Sequence, residues 1–279
     1  MTDVALASTS VVDDPDTPAL AAALAAVGLR ARAVAWADEA VEWGSFDVTV
    51  IRSTWDYPMA YAPFLDWTRR VPRLVNPAEV VAWNADKRYL DDLARAGVPT
   101  IPTTYATSGD AAVLPVGPFV VKPTVSGGSR GAARFGADEA ARARAHVDAI
   151  AALGVEAMIQ PLVASVEHQG EVDVVAFDGE VSHAVRKRAP IGRTATAEPS
   201  GPVRVVTAEP DPAQLEVVAA ALAAVPFDAP LCYARIDLVA LDTGPAVIEV
   251  EVIEPFLFLA EDEGAAARFA RAIAGRVRR

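Results

Sequence analysis

The chain is short of the residues on which much enzyme chemistry rests. It holds one cysteine, Cys232, and three histidines, His146, His168 and His183, in 279 residues. A single thiol cannot close an internal disulfide, which fits a reducing, cytoplasmic setting. No Ser-His-Asp or Cys-His pattern suggests a nucleophilic centre. No uncharged run approaches the roughly 18 apolar residues of a membrane span. The opening MTDVALASTSVVDDPD has no basic flank before an apolar core, so no signal peptide is expected. Positive charge is scarce as well. The net charge of −12 argues against a nucleic-acid binder, because phosphate contacts need a basic surface. Lysine is the rarest base: of 25 basic residues only Lys87, Lys122 and Lys187 are lysines. An Ala- and Arg-rich composition replaces lysine with arginine wherever either serves. The three survivors are therefore candidates for sites that need a compact point charge on a flexible stem.

What is present is an apolar, alternating chain. Hydrophobic residues make up 52%, enough for a sizeable core in one large domain or two modest ones. DVALA, ARAVAW and FDVTVIR read as strands and PALAAALAAVG as a helix stopped by Gly28, which implies a parallel α/β unit. That unit is expected to end at a turn marked by Asn76-Pro77. Asn84 is expected to cap a helix over NADKRYLDDLARAG, with Lys87 in its first turn and Gly97 at its end. A Pro/Thr-rich connector, the strand FVVKP, the helix DEAARARAHVDAIAALG and the strand EAMIQPLV follow. EVDVVAFDGEVSHAVRKR reads as a hairpin turning at Asp178-Gly179. After the polar RTATAEPSGP come the helix PAQLEVVAAALAAV, the hairpin YARIDLVALDTGPAVIEVEVIEP and a terminal helix.

Three places carry chemistry. In VVKPTVSGGSRG a strand and a lysine lead into a loop of Ser126, Gly127, Gly128, Ser129 and Gly131. Glycines let backbone N–H groups approach an anion, so the loop could cradle phosphate or be a plain surface turn. It is not a Walker A loop, since the lysine precedes the glycines. In the last hairpin, a three-residue turn over Asp242-Thr243-Gly244 places Asp237 opposite Glu249 and Arg235 opposite Glu251. Ile236, Leu238, Ile248, Val250 and Val252 then face the core. Clustered carboxylates without His or Cys suit Mg²⁺; the alternative is a solvated acidic face with an Arg235–Glu251 pair. VIRSTWDYP sets Arg52, Ser53, Thr54, Trp55 and Asp56 at the carboxyl end of a strand, where open α/β sheets bind ligands. An Arg52–Asp56 ion pair that only packs the loop is the alternative.

The order of these pieces resembles the ATP-grasp superfamily of carboxylate–amine ligases. RSTWDYP, GVPTIPT, SHAVRK and EVIEPFLFL are similar to the O-ureido-D-serine cyclo-ligase group of cycloserine biosynthesis. The resemblance implies an α/β (α+β) ATP-grasp fold, with a parallel α/β pre-ATP-grasp domain over 1–82, an ATP-grasp domain over 83–279 and a lid at about 99–160. It implies that Lys87 and Lys122 bind nucleotide phosphates beneath the 126–131 lid loop. Gln160, Pro161, Leu162 and Val163 would hold adenine, and either Glu167 or Glu171 the ribose. Asp237, Glu249 and Glu251 fall on the magnesium ligands, although many relatives carry Asn at the last of these. Arg235 falls on the arginine that steadies the transferring phosphoryl group, and Lys187 and His183 on groups facing substrate or the γ-phosphate. One departure stands out. Where cyclo-ligases continue with a Gly-Asp-Phe-Arg-Val-like stretch, this chain reads RAPIGRTATAEPSGP, so Gly192-Arg193 keeps only a fragment of a segment that shapes the acceptor pocket.

The activity implied uses ATP and Mg²⁺. A small, amino-acid-like carboxylate attacks the γ-phosphate, giving an acyl phosphate and ADP. An amine then displaces phosphate to form an amide or close a ring, with Lys122, Lys187 and Arg235 neutralising oxygens as charge moves. Two alternatives are a small-molecule kinase and a non-catalytic nucleotide-binding module on the same fold. The expected partners are a small carboxylate and an amine, with no nucleic acid and no membrane. The oligomeric state is left open, a homodimer included.

Overall fold

A computed structural model describes residues 2–9, 14–188, 204–228 and 231–277. Arg193 and RTATAEPSGP lie outside the described residues.

The first layer is a parallel sheet of β1 (Thr2–Ser8), β2 (Leu29–Ala35), β3 (Val48–Ser53) and β4 (Leu74–Val75), in the order β2-β1-β3-β4. Helix α1 (Thr17–Ala26) begins with proline in its first turn, where no backbone donor is needed, and stops before Gly28 at φ +81°. α2 (Tyr61–Arg70), α3 (Ala78–Asn84) and α4 (Tyr89–Arg95) lead out of this layer. The helix expected from Asn84 onward is thus two helices. Asn84 ends α3, and Lys87 lies in the turn between α3 and α4.

The second layer is a small antiparallel sheet of β5 (Thr104–Ala106), β6 (Phe119–Pro123), β7 (Ala133–Phe135) and β8 (Ala157–Pro161), in the order β5-β8-β6-β7. α5 (Ala140–Ala151) covers it, packing Val147 and Ile150 against Phe119, Val121, Phe135 and Ile159. The one-turn helix α6 (Ser165–His168) leads into the third layer.

That layer is an antiparallel sheet of β9 (Glu171–Phe177), β10 (Glu180–Arg188), β11 (Arg204–Ala208), β12 (Tyr233–Leu241) and β13 (Gly244–Glu251), in the order β11-β10-β9-β12-β13. Asp178 and Gly179 close the β9–β10 turn at φ +54° and +84°, as two-residue hairpins require. α7 (Pro212–Ala224) starts on a capping box between Asp211 and Gln214. One sheet face packs Val172, Val174, Ile236, Leu238 and Val250 on Leu93, Val217 and Ala221. The other face is divided. At one end Val175, Phe177, Val185 and Tyr233 join Phe269 and Ile273 of α8 (Ala265–Val277) and Val4, Leu6 and Val50 of the parallel sheet in one core. The terminal helix therefore cements two layers together. The rest of that face is charged.

The last hairpin has the expected pairing at its functional end, by a different route. Arg235 pairs with Glu251 and Asp237 with Glu249, but Leu241 pairs directly with Gly244, leaving a two-residue turn. A bulge between Asp237 and Leu238 restores the register. Its consequence is a face change: Val247 fills the core position expected for Ile248, which packs beside Ile101, Val166 and Val239 instead. β13 is an edge strand, and side chains close its edge. Asn84 Nδ2 donates to the Val250 carbonyl (2.7 Å) and Asn84 Oδ1 accepts from the Val252 amide (3.1 Å). The Tyr89 hydroxyl accepts from the Val250 amide (2.9 Å). Asn76 reaches further than the turn expected of it: Nδ2 donates to the Tyr233 and Val252 carbonyls, both at 2.9 Å.

Candidate active site

The three lysines come from three separate elements and meet over the charged sheet face. Lys87, in the α3–α4 turn, is buried; its Nζ donates to the Ser126 carbonyl (2.7 Å) and pairs with Glu249 Oε1 (3.1 Å). Its backbone amide donates to the Thr124 carbonyl (3.0 Å), so the turn is latched to the strand end that carries Lys122. Burial lowers the Lys122 ammonium from its ordinary value, against the pull of Glu249. Lys187, on β10, lies 3.1 Å from Glu171, 3.0 Å from Asp173 and 3.6 Å from Asp237. Burial acts to lower its ammonium, but these carboxylates outweigh it and raise the group.

The sheet register explains the convergence. Asp237 of β12 lies directly opposite Asp173 of β9, and Lys187 opposite Glu171. Arg235 Nε and Nη2 donate to the two Asp237 oxygens (2.7 and 2.8 Å), and Nη2 also bonds Glu251. Burial opposes the charge on Asp237, yet Arg235 and Lys187 hold it below the usual carboxylate range. Glu249 is likewise lowered, by Lys87 and Lys122 against burial. Burial pushes the Glu251 carboxyl up to about 7.

Asp173 was missing from the sequence reading. It is fully buried, its nearest cation among the described residues is the Lys187 ammonium, and burial with the Asp237 charge pushes it up to about 7. Oxygens of Glu171, Asp173 and Asp237 lie within 4.8 Å of one another. The Glu-x-Asp alternation at the start of β9 was the signal that could have found it. Three carboxylates gathered around one ammonium, in an all-oxygen donor set, fit Mg²⁺.

The 126–131 loop turns through left-handed backbone. Gly128, Ser129 and Gly131 have φ of +60°, +60° and +76°, and a Cβ on Gly131 would lie 2.8 Å from the Pro123 ring. His146 of α5 is half-buried with Nε2 2.9 Å from the Gly131 carbonyl. In the segment 160–163, Gln160 is buried, with Nε2 donating to the Thr103 hydroxyl (2.9 Å), and the Leu162 amide donates to the Pro118 carbonyl (2.9 Å). Pro161 ends β8, and Val163 packs against the cluster of Ile101, Val166 and Val239. Glu167, on α6, pairs with Arg134.

The β3 end lacks the Arg52–Asp56 ion pair of the alternative reading. Arg52 is 1% exposed, with Nη2 3.3 Å from Asp14 and 3.8 Å from Asp16, and Nη1 donating to the Pro255 carbonyl (3.2 Å). Asp56 accepts instead from Trp36 Nε1 (2.8 Å) and the Thr9 hydroxyl (3.1 Å). Ser53 and Thr54 are buried, with hydroxyls that lack partners among the described residues. Trp55 Nε1 donates to the Glu254 carbonyl (3.1 Å). His183 sits on the sheet face of Lys187 but one rung past Val185, at the apolar end. Its Nε2 lies 2.9 Å from the Leu257 carbonyl and its Nδ1 2.9 Å from the Ser182 hydroxyl. Four consecutive carbonyls are thus held: Glu254 by Trp55, Pro255 by Arg52, Phe256 by Arg235 (3.0 Å) and Leu257 by His183. Asp16 accepts from the Leu257 and Leu259 amides (3.3 and 3.1 Å). The segment 254–259 is a strap tying the parallel sheet to the charged sheet face.

Known proteins share this architecture. Residues 4–76 match a family model described as the N-terminal domain of D-cycloserine synthetase DcsG. Over 289 aligned residues the chain is 39% identical to the cycloserine biosynthesis protein DcsG of Streptomyces lavendulae, covering 95% of each. A crystal structure of D-cycloserine synthetase DcsG has a TM-score of 0.90 at 37% identity, covering 99% of both chains. D-alanine–D-alanine ligase from Bacillus anthracis complexed with ATP has a TM-score of 0.69 at 15% identity, covering 99% of this chain and 97% of that one, and so shares the fold. No described helix is long and apolar enough to cross a membrane. The chain belongs to the cycloserine synthetase family of ATP-grasp proteins and is an ATP-dependent carboxylate–amine ligase.

Proposed function

We propose that this ligase is Mg²⁺-dependent and cytoplasmic, and that it closes a cycloserine-type ring from an O-ureido-D-serine-like amino acid. The observation that carries the reading is the meeting of Lys87, Lys122 and Lys187 with Arg235, Asp237, Glu249 and Glu251 on one sheet face beneath the 126–131 loop. In this reading residues 1–82 form the substrate side and 83–279 the ATP-grasp domain. Lys87, Lys122 and the backbone of Ser126, Gly127, Gly128, Ser129 and Gly131 hold the ATP phosphates. The Gln160–Val163 hinge holds adenine. Either Glu167, which pairs with Arg134, or Glu171, which pairs with Lys187, holds the ribose. Asp237, Glu249 and Glu251 hold Mg²⁺, with Asp173 behind them; the ion supplies charge neutralisation at phosphate oxygens when bound.

Arg235 and Lys187 are held rigidly by carboxylates and so present fixed positive charge to the attacking carboxylate and the transferred phosphoryl group. Arg52, Trp55 and His183 act on substrate through the strap they hold. The lid loop excludes water, which protects an acyl phosphate from hydrolysis. Incubation with ATP, Mg²⁺ and O-ureido-D-serine should give ADP, phosphate and the mass of cycloserine, with the ureido carbonyl and its terminal nitrogen released as carbon dioxide and ammonia. ADP with a stable phosphorylated substrate would mean a kinase, and absence of substrate-dependent ADP would refute the ring-closing assignment.

A further inference from the structure

Within this active site, the strap leaves one acidic side chain without a cation. Glu254 follows the last hairpin, and its backbone carbonyl is fixed by Trp55. Its side chain is half-buried where three parts of the molecule meet. A Cβ on Gly127 of the lid loop would lie 3.8 Å from Glu254 Oε1 and 3.8 Å from Pro58 Cγ, beyond β3. The other acids around the site all have partners. Glu171, Asp173 and Asp237 share Lys187, Glu249 has Lys87, and Glu251 has Arg235. Asp14 and Asp16 face Arg52, and Asp56 accepts from Trp36 and Thr9. Among the described residues no Lys, Arg or His side chain forms an ion pair with Glu254.

We propose that the Glu254 carboxylate binds the α-ammonium of the amino-acid substrate. This rests on the amino-acid substrate proposed above. An amino acid carries its ammonium one carbon from the carboxylate that must be activated. Arg235, the guanidinium aimed at that chemistry, bonds the Phe256 carbonyl two residues along the strap. The strap therefore sets the spacing between the group that reads the ammonium and the group that steadies the reacting carboxylate. Burial, then the Glu251 charge, pushes the Glu254 carboxyl up to about 8 against the pull of Lys87, and an ammonium beside it would favour the charged form. Because Gly127 of the lid loop abuts Glu254, filling the ammonium site would also register with the loop over the phosphates.

The test is titration calorimetry on the full chain, saturated with Mg²⁺ and a non-hydrolysable ATP analogue. The ligands are O-ureido-D-serine and its counterpart lacking the α-amino group. The wild type should bind the amine at least tenfold more tightly. Glu254→Gln should erase that preference, while affinity for the des-amino ligand and for the nucleotide analogue stays within twofold; the unchanged nucleotide affinity certifies folding. Glu254→Asp should keep part of the preference. A preference that survives in Glu254→Gln, or is absent from a wild type that turns over, overturns the assignment of Glu254 alone. A wild type that binds neither ligand and releases no substrate-dependent ADP overturns the proposed substrate, and this inference with it.

Discussion

Two charged clusters sit on either side of the strap, built from the same residue types with opposite outcomes. On the sheet face, Lys87, Lys187 and Arg235 pair with Glu249, Asp173, Asp237 and Glu251, and several of these groups remain partly open. At the end of β3, Arg52 pairs with Asp14 and Asp16, all nearly inaccessible. The first cluster crowds Glu171, Asp173 and Asp237 around the Lys187 ammonium, so it gains from an added cation and from anions over its lysines. The second is tied to the strap's backbone at Pro255, Leu257 and Leu259, and leaves Arg52 Nε and the Ser53 and Thr54 hydroxyls without partners among the described residues. The difference teaches that charge type does not identify a site; the balance of partners does.

That contrast can be broken by substitution. Lys122→Ala should lower turnover about a thousandfold, as loss of a preorganised charge at a transferring group does, with little change in melting temperature. Near-normal turnover would remove Lys122 from the phosphate site. Arg52→Ala should do the reverse, costing about 3–5 kcal/mol of stability because two buried carboxylates lose their counter-charge. A denaturant titration measures this, and an unchanged midpoint would mean that the strap does not depend on Arg52. Glu249→Gln should move the midpoint of the Mg²⁺ dependence of turnover at least tenfold; a superimposable titration would exclude Glu249 as a ligand.

The smallest effect concerns Cys232, whose thiol burial pushes up to about 12. The folded state favours the neutral thiol. Its contribution is therefore complete below the free-thiol value near 8.5 and falls as pH rises from there toward 12, by at most about 1.4 kcal/mol per pH unit. A thiol reagent should label Cys232 at neutral pH only after denaturant is added. Fast labelling of the native chain would contradict the burial.

Much of the fold was legible. FVVKP, EAMIQP and both hairpins carry alternation or turn residues strong enough to mark them. β7 and β11 were missed because one is three residues long and the other is a largely exposed edge strand with no buried stripe to read. Asn84 was misread as a cap because local sequence cannot show that an amide side chain will be claimed by the edge of a strand 166 residues away. The paired acids of the last hairpin were found through alternation alone, and even a wrong turn length left Asp237 opposite Glu249 because a bulge absorbed the difference. Asp173 escaped notice because its importance arises from the neighbouring strand, β12, and not from its own.

The sequence by itself determined the order of the layers, the scarcity that singled out three lysines, and which acids share a face, since these follow from composition and from strand periodicity. Only the tertiary structure decided that Arg52, Trp55 and His183 hold a strap, that Asp173 lies beneath the carboxylates, and that Glu254 has no ion-pair partner among the described residues. Those facts are differences between partners gained and water lost, and a one-dimensional chain does not specify its partners until distant segments have closed on one another.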